Sequence, residues 1–243
     1  MKLKKIFVTL FNKPLAVVLV STLLSYPIGY IFKEFTDYPI TALLCFLNIV
    51  ISIMAFKNIN LMYFLIGDNI ATKNNKEYYR IVSSGFVHGD LMHLIFNIIA
   101  IVLIGFPLER NLIYMYGPTG SVIIAGLFML GVYLGGYLTL HTKFGKLNPL
   151  HLGSSSGVLA LVSFLVLYRP TATLLIFGLI PVNAVIFLGS FALLTLIAMY
   201  KPMKYFDMVL TFSKSKANHA GHMGGFVGGL LVYILFQIAR FLI

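Results

Sequence analysis

Three consecutive serines, Ser154, Ser155 and Ser156, stand between Gly153 and Gly157 at the head of one apolar stretch. A histidine, His222, opens another in His222-Met223-Gly224-Gly225-Phe226-Val227-Gly228-Gly229. A hydroxyl and an imidazole set among small residues are the parts of nucleophilic acyl chemistry: the ring takes the hydroxyl proton and the oxygen attacks a carbonyl. Polar side chains within apolar segments are costly and point to function by default.

Two more polar residues extend the set. His93 and Asn97, in Leu91-Met92-His93-Leu94-Ile95-Phe96-Asn97, are four apart and share one helix face. Both donate hydrogen bonds, and beside a serine at a helix start they resemble donors aimed at a developing oxyanion. A helix that begins at the serines leaves its first amides unpaired, with the positive dipole end directed at the same place. Gly157 directly follows Ser156 and leaves room for close approach, which favours Ser156 as nucleophile, with Ser155 second and Ser154 third. The expected oxyanion group is then the Ser156 amide with His93 and Asn97. His222, Gly225 and Gly229 recur at i, i+3 and i+7, so the imidazole sits on a glycine stripe that lets a partner helix come close. Gly157, Gly225 and Gly229 are read as packing positions.

The acids are few: Glu34, Asp37, Asp68, Glu77, Asp90, Glu109 and Asp207. None lies beside His222 in its segment, so the expectation is a Ser–His dyad without a third carboxylate. No His-Glu-x-x-His occurs, and His219 and His222 are spaced i, i+3, so no metal and no other cofactor is expected. The single cysteine, Cys45, excludes an internal disulfide.

The elements that must position these groups follow from composition. Of 243 residues 59% are hydrophobic and 10% charged, with mean hydropathy +0.94, too little polar surface for a water-soluble globule. The chain reads as an all-α, polytopic membrane bundle. Seven segments approach the length of a span: Leu15–Phe32, Ile40–Phe56, Leu91–Leu108, Ser121–Leu140, Ser155–Tyr168, Val182–Tyr200 and His219–Ile243. The fifth is short, and a helix that starts below the surface needs protein or water for its first amides. Alternating ten-residue strands are absent, against a β-barrel, and no internal repeat suggests a transporter. Met1 to Lys13 is basic, and without a small-x-small cleavage site the next stretch reads as a retained span. Lys57 to Asp90 reads as a structured, membrane-associated loop.

The net charge of +11 comes from Lys and Arg gathered in the connections, where they set topology and meet anionic lipid; no nucleic-acid role is read from it. If all seven segments cross, the side with the N-terminus holds 14 of the 18 basic residues and faces the cytoplasm. Ser156 and His222 lie near that side.

In this order, His93-x-x-x-Asn97, Ser156-Gly157 and His222-x-x-Gly225-x-x-x-Gly229 resemble the rhomboid family of intramembrane serine proteases, from roughly Ile40 to the C-terminus. Phe86-Val87-His88-Gly89-Asp90-Leu91-Met92-His93 and Gly105-x-x-x-Glu109-Arg110 add to the match. Against the family's Gly-x-Ser-Gly, Ser154 takes the place of the first glycine, and the Trp-Arg pair of the first loop appears as Tyr79-Arg80. The resemblance implies a six-helix catalytic core over residues 39–243, with residues 1–38 a basic N-terminus and one extra transmembrane helix. It implies a Ser156–His222 dyad that cleaves transmembrane segments of other membrane proteins through an acyl-enzyme; water must reach such a site, and the polar Ser-rich entrance and His151 are read as its way in. The partners implied are membrane-protein substrates and the lipid bilayer, and the location is the inner membrane of a bacterium. A rhomboid-like protein that only binds client helices is the alternative; it predicts a lost serine or histidine, and both are present.

Overall fold

In the computed structural model, which describes residues 12–13, 17–19, 21–24, 37–142, 150–176, 180–201 and 218–242, Pro39 opens α1 (Pro39–Lys57). Proline suits that place because a first-turn amide has no intrahelical partner. The next two amides are taken by a carboxyl group from elsewhere in the chain: Ile40 N and Thr41 N donate to Glu109 Oε1 and Oε2 at 3.1 and 2.8 Å. Glu109 lies in α5, so two helices are tied at their ends.

Between α1 and α5 the loop is structured, as its mixed composition suggests. It holds α2 (Ile59–Leu65), β1 (Gly67–Asp68), α3 (Asn69–Asn74), α4 (Arg80–Ser83) and a 3-10 turn at Ser84–Phe86. Asn58 and Asp68 cap α2 and α3 by accepting two amide hydrogens each, the usual use of these side chains at a helix start. Arg80 fixes the centre of the loop. Its Nη1 donates to the carbonyls of Tyr63, Phe64 and Ile66 at 2.7 to 3.0 Å, and its Nε pairs with Glu77 at 2.6 Å.

Then come α5 (Leu91–Tyr116), α6 (Thr119–His141), β2 (Leu150–His151), α7 (Ser155–Tyr168), the hairpin of β3 (Thr173–Ile176) and β4 (Ile180–Asn183), α8 (Ala184–Ala198) and α9 (His219–Leu242). Asp90 caps α5 through the amide of His93 at 2.8 Å. The helix runs eight residues past the expected end at Leu108. Polar residues there hide it from a hydropathy reading, and Pro107 inside the helix removes one amide without ending it. Asn183 caps α8, so that helix begins two residues after the expected Val182 while β4 takes up the preceding chain.

Among the described residues α1, α5, α6 and α9 are long and apolar enough to cross a membrane, and α7 and α8 are shorter apolar helices. The molecule is a polytopic helical membrane bundle. Most of the expected span Leu15–Phe32 lies outside the described residues; 17–19 and 21–24 are helical. At the centre of the bundle α6, α7 and α9 pack together. Phe128, Leu127, Ile124, Leu161 and Phe164 are fully buried there, while Leu231, Leu235, Ile238 and Phe241 of α9 face outward. Apolar side chains on the outside are what a lipid-facing surface requires.

Candidate active site

The three inner helices approach through glycine. On α9 a Cβ at Gly225 would overlap the Ser156 carbonyl of α7, and one at Gly229 would overlap Ser163 Oγ and the Ala160 carbonyl. The adjacent pair does the same on another face: a Cβ on Gly224 would overlap the backbone at Gly135 of α6, and one on Gly228 would come 3.1 Å from Gly131 Cα. The expected stripe is thus one of two. Each Gly-Gly doublet, at Gly224-Gly225 and Gly228-Gly229, serves both neighbours, a signal the i, i+3, i+7 reading passed over.

This close approach sets a hydroxyl against the imidazole of His222. Ser155 Oγ lies 3.0 Å from His222 Nε2, the separation of a hydrogen bond. Ser156, the expected nucleophile, makes no hydrogen bond to His222 among the described residues. Ser156 is the next residue on α7, and one step along a helix turns the side chain by about 100°. Its Cβ and Oγ face Gly135 instead, 2.6 and 2.8 Å from where a Cβ on that glycine would stand. Gly157, taken as the glycine behind the nucleophile, faces the ring of Phe128. The glycine that shapes the turn is Gly153, whose φ of +106° suits a residue without a Cβ. Gly153 stands two residues before Ser155, and Ser156 follows it.

Ser154 has its own partner. Its hydroxyl lies 3.2 Å from His88 Nε2, and His88 Nδ1 lies 2.9 Å from Ser52 Oγ, which also reaches the Phe86 carbonyl at 3.2 Å. If Ser52 donates to that carbonyl, it accepts from His88 Nδ1–H, and Nε2 is left to accept from Ser154. This assignment requires a neutral ring. Burial supplies it, with nearby His93 adding to the effect: the His88 pKa is lowered to about 3. The Ser154 hydroxyl is engaged by His88, and among the described residues no side chain caps α7, which leaves its first amides directed at whatever anion binds there.

His93 stands edge-on to His88 with ring centroids 5.0 Å apart. A Cβ on Gly153 would come 2.8 Å from its Cε1 and Nε2, so the ring borders the turn before Ser155. Asn97 is buried one helical turn on, and its Nδ2 donates to the His93 carbonyl at 2.9 Å. One amide hydrogen remains. No hydrogen bond joins either residue to Ser155 among the described residues. Among the described residues His222 Nδ1 has no hydrogen-bond partner, so no carboxyl group among them orients the imidazole. No cluster that could hold a metal ion occurs among the described residues.

From the sequence, His151 reads only as part of an entrance for water. It is buried beside Gly67 and lines the same small cavity as Ser155 and His222. Pairing of β1 with β2, Gly67 opposite His151 and Asp68 opposite Leu150, brings it there. Two-residue strands carry no periodicity by which to find them.

Ser155 of α7 and His222 of α9 thus stand in contact inside a helical membrane bundle. The family model described as Rhomboid domain matches residues 75–238, and the chain belongs to the rhomboid family. No curated protein matches the chain.

Proposed function

We propose that the chain is an intramembrane serine endopeptidase that cleaves transmembrane segments of other membrane proteins, with Ser155 as nucleophile and His222 as base. The 3.0 Å contact between Ser155 Oγ and His222 Nε2 carries this reading. His222 takes the hydroxyl proton as Ser155 attacks the carbonyl, then passes it to the leaving amine. The oxyanion is received by the Ser155 amide at the uncapped start of α7, with His93 and Asn97 as side-chain donors. A substrate helix must unwind at the scissile bond, since its carbonyls are otherwise held in i→i−4 bonds, and helix-breaking residues there assist cleavage.

A serine-directed fluorophosphonate probe applied to the purified protein in detergent tests the reading without a known substrate. Wild-type protein is labelled at Ser155 and Ser155→Ala is not. Equal labelling of the two proteins removes Ser155 as nucleophile, and absence of labelling in both favours a client-binding protein without catalysis.

A further inference from the structure

His151 is 9% exposed, and among the described residues neither ring nitrogen has a hydrogen-bond partner. A buried polar group left unpaired is costly, so two on one ring point to something the ring serves. Its position is fixed from both sides. β2 pairs it with Gly67, where any Cβ would overlap the imidazole, and the chain turns at Gly153 two residues later to begin α7.

The cavity that His151 lines is also bounded by Ser84, Ser155, Asn218 and His222, and its volume is about 20 Å³. A water molecule needs roughly 10–15 Å³ of such space and two to four polar partners. The cavity is therefore sized for a water and is too small for a substrate side chain. It touches the nucleophile, the base and a ring with two unused nitrogens.

We infer that His151 holds the water that hydrolyses the acyl-enzyme, a role that rests on the Ser155–His222 reading above. Once the amine has left with its proton, His222 Nε2 is again unprotonated. The water directs one hydrogen to the free nitrogen of His151 and the other to His222 Nε2, leaving a lone pair for the ester carbonyl. Its oxygen bonds to that carbon as Nε2 takes the second proton. The bond to Ser155 Oγ then breaks, the proton passes from Nε2 to Oγ, and a carboxylic acid departs. His151 must stay neutral to accept, and burial does this: its pKa is lowered to about 4, against a small opposing influence of Asp68.

The test separates the two halves of the reaction in the full chain, using a chromogenic p-nitrophenyl ester. The initial burst reports acylation of Ser155, and the steady state reports hydrolysis of the acyl-enzyme. His151→Phe keeps a ring against Gly67 and removes both nitrogens; if it does not fold, His151→Leu carries the same expectation. The burst remains, the steady-state rate falls by about tenfold or more, and the acyl group is found on Ser155 by mass spectrometry of the intact protein. Added hydroxylamine, which needs no holding group at high concentration, restores turnover. His151→Asn, with a donor and an acceptor, recovers part of the rate. Wild-type hydrolysis in His151→Phe overturns the inference, and so does a parallel loss of burst and steady state. A wild-type protein with neither burst nor label at Ser155 fails differently: the nucleophile assignment falls, and the inference with it.

Discussion

Ser155 and Ser156 are chemically identical and adjacent, and only their direction from α7 distinguishes them. One points across to His222 and the other into the seam with Gly135. Accordingly Ser155→Ala abolishes cleavage of a transmembrane reporter, whereas Ser156→Ala, which trims a hydroxyl from a packed seam, retains it within a few fold; circular dichroism checks that both remain helical. Asn97→Ala removes one oxyanion donor and lowers kcat by about 10²–10³ with little change in KM. The residue types of this site were legible in the sequence, because serine, histidine and asparagine inside apolar segments stand out. The choice among the serines was not. Gly153 and Gly157 flank Ser155 symmetrically, and nothing in the letters says that the first needs its positive φ while the second merely makes room for Phe128.

Elements meet here through contacts that admit no extra atoms. Gly225 and Gly229 bring α9 against α7, and Gly224 and Gly228 bring it against α6. Gly225→Val forces side-chain atoms into the Ser156 carbonyl, and overpacking of this kind costs about 1–3 kcal/mol. A lower thermal midpoint in detergent, together with weaker probe labelling as the two groups separate, is the expected result. At the other end of the bundle Glu109 is fully buried and receives Ile40 N, Thr41 N and Ser121 Oγ. Glu109→Ala strands those donors and lowers stability by about 2–4 kcal/mol, read as a fall in the same midpoint. Gly105 stands one turn before it, and a Cβ there would press on the side chain of Thr41. Hydrophobic runs made the helices themselves readable, but not the caps and strands between them: β1, β2 and the extension of α5 past Pro107 lack the apolar signal that marks a span.

On the scale of the whole molecule, acid acts through imidazoles buried outside the spans. His88 and His151 bind a proton only near pH 3 and 4 when folded, whereas an unfolded histidine does so near 6.5. Between those values the unfolded chain holds more protons, so stability is fully present above about pH 6.5 and declines as pH falls toward 4, by up to about 1.4 kcal/mol per pH unit for each ring. Thermal unfolding between pH 7.5 and 4.5 shows the decline, and His151→Phe makes it shallower. A slope unchanged by that substitution excludes His151 as a contributor.

Glu109 also orders events during synthesis. The amides it satisfies lie 69 and 68 residues earlier in the chain, and its third donor, Ser121, lies 12 residues later. When the first of these helices leaves the ribosome the Glu109 carboxyl has not yet been made, and hydrocarbon offers no acceptor in its place. Headgroup water must solvate that end until the span that carries Glu109 has been laid down, so the carboxyl group acts as a latch that closes only after nearly half of the chain has been made.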